Sequence, residues 1–163
     1  MIDGRDGGAN FVGAVFAPTP FSADEIRDGC PRGREVTVRV ETADEDPYLR
    51  RICFVAVDAI GATQTLSQFT LDGDPIGETK TVYATWKDLQ AHASFPRDRT
   101  TIDRETIETP MGSLECLRYT VDEDGRLRVF WFAVAIPGMP VRFTVTEDGT
   151  VTDTSTMVAN TAP

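Results

Sequence analysis

From Thr100 to Val158 the chain is cut at short intervals by turn signals: Pro110-Met111-Gly112, Asp122-Glu123-Asp124-Gly125, Pro137-Gly138-Met139-Pro140 and Asp148-Gly149. Between them lie strand-length segments, several with apolar residues at alternate positions. Residues 100–109 carry Ile102 and Ile107. Residues 113–121 carry Leu114, Cys116 or Leu117, Tyr119 and Val121. Residues 126–136 are the most hydrophobic run, residues 141–146 alternate Val, Phe and Val against Arg and Thr, and residues 150–158 carry Val151 and Val158. Alternation at period two is the signature of a strand with one wet face. Strands joined by such short turns pair as antiparallel hairpins. This spacing leaves no room for the crossover helices of a parallel sheet.

The first half shows the same pattern with two interruptions. Val36, Val38 and Val40 alternate with Thr37 and Arg39. Residues 51–59 are apolar at both parities and read as a central strand. Gly61 turns the chain, residues 63–71 alternate again, Asp72-Gly73-Asp74-Pro75 is a turn, and residues 78–84 offer one more strand. The interruptions are helical. Ser22-Ala23-Asp24-Glu25 is a capping box, in which the hydroxyl and the Glu carboxylate satisfy early amides reciprocally, and Gly29 and Pro31 end that helix. Thr85 caps a second helix, Trp86 to Ala93, with Trp86, Leu89, Gln90 and Ala93 on one face; Phe95-Pro96 ends it. Residues 11–17 read as a short first strand broken by Pro18 and Pro20, residues 1–10 as a flexible lead-in, and the tail after Ala159 as loose. The expected fold is one α+β domain over 1–163. It is a strongly curved antiparallel sheet of about eight or nine strands, a half-barrel or near-closed barrel, with two short helices on its concave side.

Composition removes several functions. The 163 residues hold 16 basic and 26 acidic side chains, a net charge of −10. A nucleic-acid partner requires a basic stripe, and the longest basic run is Arg50-Arg51 among acids. The same charge disfavours anionic lipid surfaces. No run reaches the roughly 20 apolar residues of a membrane-spanning helix, so membrane insertion is not expected. Fourteen of the basic residues are Arg, which codon usage in a GC-rich genome explains without a binding role. Residues 1–10 show no secretory leader, and Cys30, Cys53 and Cys116 form no pairable or metal-binding framework. The chain reads as cytoplasmic.

Catalytic chemistry finds little purchase. His92 is the single histidine, so any Ser-His or Cys-His mechanism must use it. At the end of the Trp86 helix it reads first as a cap on free carbonyls. The Asp122-x-Asp124 turn fails as a calcium loop, because positions six and twelve hold Leu127 and Ala133. No glycine pattern cradles phosphate. No metal or cofactor is expected. Asp58 draws notice because it ends an apolar strand; it reads as a solvent-facing strand end.

Two constellations remain: Trp86-x-x-Leu89-x-x-His92-Ala93-x-Phe95-Pro96, and Phe130-Trp131-Phe132-Ala133 followed by Pro137-Gly138-Met139-Pro140. These segments resemble a family of bacterial proteins without an assigned activity that carry both motifs, a likeness covering most of the chain from Pro18 onward. Residues 101–147 also resemble, faintly, the later strands of LolA-like lipoprotein carriers. That resemblance implies a curved sheet with helices over an apolar hollow. The aromatics admit two readings, a solid core or a pocket wall, which coexist if the sheet curls.

The functional expectation is a non-catalytic module that holds a hydrophobic small molecule or lipid. Its ligand-binding residues are Trp86, His92, Phe95, Trp131, Phe132 and Met139, around a cavity of roughly 300 Å³ or more. Two alternatives stay open. One is an interaction module with a solid core and an acidic face or free sheet edge. The other is an enzyme that uses His92.

Overall fold

The computed structural model describes residues 15–163. The lead-in expected over 1–10 lies outside them, as does most of the strand expected over 11–17. At Phe16 the chain makes one isolated antiparallel bridge, with Pro96.

Alternation and turns build what they predict. In chain order the elements are α1 (Ala23–Gly29), β1 (Glu35–Thr42), β2 (Glu45–Val57), β3 (Gly61–Thr70), β4 (Pro75–Thr85), α2 (Trp86–Ala91), a 3-10 turn at Arg97–Arg99, β5 (Thr100–Thr109), β6 (Gly112–Glu123), β7 (Arg126–Ala133), β8 (Arg142–Glu147) and β9 (Thr150–Thr161). All strand pairs are antiparallel, in one sheet of order β4-β3-β2-β1-β9-β8-β7-β6-β5. The sheet is curved and not closed.

Two hairpin meanders, β1 to β4 and β5 to β9, are stitched together where β1 pairs with β9. This places β4 and β5 at opposite edges. The chain must cross a face of the sheet to pass from one edge to the other, and α2 lies on that crossing. Both helices start as expected. The Ser22 hydroxyl accepts from Glu25 N at 3.1 Å, while the Glu25 carboxylate accepts from Ser22 N at 2.9 Å. Thr85 and Asp88 repeat the arrangement at α2. The helices are fastened side by side by Gln90, which is buried: its Oε1 accepts from Ala23 N at 3.2 Å and its Nε2 donates to Thr19 Oγ1 at 3.1 Å. A buried amide with partners at both ends pins this roof in one register.

Three expectations are corrected. The strand expected over 51–59 begins at Glu45 and has neighbours on both edges, but one of its faces is open, with Val55 and Val57 exposed. The tail expected to be loose after Ala159 continues β9 to Thr161 and pairs with Glu35–Thr37. The strand expected over 126–136 stops at Ala133, where the Val134–Pro140 connector leaves the ladder.

Candidate functional site

Directly opposed residues in an antiparallel ladder share a face. On the left half of the sheet Ile52 opposes both Val36 and Leu66, and Phe54 opposes Gln64. On the right half Phe132 opposes Leu117, and Phe130 opposes Tyr119 and Phe143. These apolar faces look toward α1 and α2. The helices do not fill the space between. A hollow of about 440 Å³ remains, walled by Ile26 and Cys30 from α1 and its C-cap, by Leu89, His92, Ala93 and Phe95 along the crossing, and on the sheet by Val36, Ile52, Phe54, Gln64, Leu66, Phe130 and Phe132. Gly138, Met139 and Pro140, from the connector after β7, also line it.

The aromatic wall is a stacked column. Phe95 stacks on Phe130 at 4.7 Å between ring centroids, and Phe130 stacks on Phe143 at 4.7 Å. Phe132 meets Tyr119 edge-on at 5.4 Å and Phe21 at 6.3 Å. Stacked and edge-to-face pairs add about 0.5–1.5 kcal/mol beyond area burial. Tyr119 backs the column, donating to Pro18 O at 2.6 Å. Burial pushes its phenol up to about 12, so it is a neutral donor at physiological pH.

Of the six expected ligand-binding residues, four line the hollow: His92, Phe95, Phe132 and Met139. The two tryptophans do not. Trp86 is buried in the core and donates its Nε1–H to Asp58 O at 2.9 Å, tying α2 to the β2–β3 turn. Trp131 lies on the opposite face of β7, as its position between Phe130 and Phe132 dictates. There it donates to Glu105 Oε1 at 2.9 Å and sits under Arg142 at 5.8 Å. His92 occupies the C-cap of α2, where its backbone N–H bonds to Asp88 O and Gln90 O, and its side chain is at the exposed rim of the hollow. Asp58 is a turn former: its Oδ1 accepts from Ile60 N at 2.8 Å and Gly61 N at 2.9 Å, and these bonds hold its carboxyl below the usual range. Among the described residues no cluster of three metal-ligating side chains occurs.

Sequence reasoning missed two lining residues of another kind, Arg34 and Arg50. Arg34 is 2% exposed. Its Nε donates to Asn160 Oδ1 at 2.8 Å. Its Nη1 donates to Pro137 O at 3.0 Å, Cys30 Sγ at 2.9 Å and Gly29 O at 3.2 Å. Its guanidinium carbon lies 5.9 Å from the Phe54 ring centroid. Burial raises the Cys30 thiol, with Arg34 opposing the rise, so Cys30 is a neutral acceptor and leaves the Arg34 charge uncancelled. Gly138, at φ +120°, adopts a conformation that side-chain-bearing residues rarely reach; a Cβ there would lie 3.4 Å from Arg34 Nη1. Arg50 donates to Tyr48 Oη at 3.2 Å.

No family model matches the chain, and no curated protein matches it. Among solved structures it is similar to a Bacteroides fragilis protein assigned as exported, with a YmcC-like fold. That structure is 10% identical over 92% of this chain and 100% of its own length, with a TM-score of 0.50. The likeness is one of fold. It overturns the cytoplasmic expectation, which rested on a missing leader and unpaired cysteines: the same architecture occurs in a protein assigned to export. Among the described residues no helix is long and apolar enough to cross a membrane.

Proposed function

We propose that this chain is a non-catalytic, exported module that holds a hydrophobic small molecule or lipid in the hollow beneath α1 and α2. The observation that carries the reading is the hollow itself. About 440 Å³ framed by Ile26, Ile52, Phe54, Leu66, Leu89, Phe95, Phe130, Phe132 and Met139 falls in the range of ligand sites, roughly 300–1,000 Å³. Well-packed interiors leave few voids larger than a water molecule. The likeness of residues 101–147 to LolA-like carriers points the same way, and export is proposed from the fold shared with the Bacteroides protein. The solid core that an interaction module would need is a poorer account of a hollow this large.

The test is titration with an environment-sensitive naphthalene fluorophore. The reading predicts saturable one-to-one binding with a blue-shifted emission, competed by a medium-chain alcohol. Linear, unsaturable fluorescence would overturn it.

A further inference from the structure

The chain carries ten more negative than positive charges, yet the hollow is lined by two arginines, a histidine and not one Asp or Glu among the described residues. Arg34 is the telling member. Its guanidinium cannot be deprotonated in a protein, and a buried charge without a counter-ion is costly. The groups that meet it are neutral: the carbonyls of Gly29 and Pro137, the Asn160 amide and the Cys30 thiol. Among the described residues its Nη2 is buried without a partner. Arg51 Nε, Ser94 Oγ and Arg118 Nε are also buried without a partner, but of the four residues only Arg34 lines the hollow, where a ligand group can reach it.

Resting on the carrier reading, we infer that the ligand is an amphiphile with an anionic head, a carboxylate on an apolar chain, whose head seats against Arg34 while its chain lies along Phe54, Phe130 and Phe132. A planar carboxylate fits the guanidinium fork and supplies the missing negative charge. The wall closes over Nη2 as the chain stands. Admitting the head requires that wall to shift, and Met139, unbranched and lining the hollow beside Gly138, is the adaptable side chain nearby in sequence. Arg50 lies on the same face. Val36 and Val38 follow Arg34 by two and four residues, and Val38 pairs with Arg50. At about 3.3 Å per residue this sets Arg50 roughly 13 Å along the hollow from Arg34, too far for one carboxylate to bridge both.

The experiment compares dodecanoate with dodecanol, equal in chain and different in charge, by displacement of the fluorophore at pH 8. The wild-type protein is expected to bind dodecanoate about 10- to 100-fold more tightly, the range of a charge-assisted hydrogen-bonded pair. Arg34→Met, checked for folding by circular dichroism, is expected to remove that preference and leave dodecanol within about threefold. Equal wild-type affinities would overturn the anionic head while leaving the carrier reading intact. A preference retained in Arg34→Met, or abolished in Arg50→Gln instead, would overturn the seat at Arg34. Binding of neither ligand would overturn the carrier reading too. The wild-type comparison needs no variant, so it stands even if Arg34→Met fails to fold.

Discussion

Ala93→Leu asks whether the hollow is real, through the sign of one number. Ala93 follows α2, lines the hollow and is partly buried. Leucine adds three carbon groups. At about 0.8 kcal/mol for each when fully buried, the gain is bounded near 2.4 kcal/mol. Partial burial and about 0.5–1 kcal/mol of lost rotamer freedom reduce this to about 1 kcal/mol of net stabilisation. The position lies beyond the last residue of α2, so helix propensity adds no penalty. For a chain of this length, 1 kcal/mol raises Tm by about 2–4 °C. In a filled core the same change overpacks and costs about 1–3 kcal/mol, so Tm falls. The assay is thermal unfolding followed by circular dichroism, with fluorophore titration of the same sample. The expected result is a higher Tm and about tenfold weaker fluorophore binding. A fall of several degrees would refute the hollow, and a raised Tm with unchanged binding would move the ligand elsewhere.

Other substitutions separate wall from frame. Trp131→Phe loses the bond to Glu105 and is expected to lower stability by about 1 kcal/mol in urea denaturation while ligand affinity stays unchanged, because the ring lies on the far face. Ser22→Ala removes one half of the α1 capping box and is expected to cost about 1 kcal/mol by the same measurement. Tyr119 gives a pH signature. Its folded-state value is raised from 10.0 to about 12, so its contribution is complete below pH 10 and is lost as pH rises toward 12. Urea midpoints should decline across that window, and Tyr119→Phe should flatten the decline; an equal slope in both proteins would assign alkaline unfolding to other groups.

How far the fold could be read from sequence follows from what alternation can and cannot encode. Period two assigns faces, so the strands and the two capped helices were legible, and residues 100–109 match β5 end to end. It does not say which strand is whose neighbour. The pairing of β1 with β9 unites segments more than a hundred residues apart, and nothing local announces it. The tail was lost for a related reason: Ala159, Asn160 and Thr161 carry no apolar alternation, yet they pair with β1, and Asn160 reaches Arg34.

The site shows the same limits. Trp131 could have been excluded from the wall by the alternation that placed Phe130 and Phe132 there. Trp86 packs into the core and bonds its indole to a turn carbonyl, a long-range contact that helical periodicity does not encode. Arg34 and Arg50 had a signal that went unused. Arg34 shares parity with Val36 and Val38, and Arg50 with Ile52 and Phe54, so both point inward by the rule that found the strands. Composition argued against them, because an arginine in a strand ordinarily marks the wet face.

The measurement that bears most directly on the account is native mass spectrometry of the protein as purified from cells, followed by organic extraction of the denatured sample. The account predicts a mass above that of the polypeptide and recovery of an apolar molecule bearing a carboxylate. A polypeptide of bare mass that also fails to take up dodecanoate or the fluorophore would contradict it.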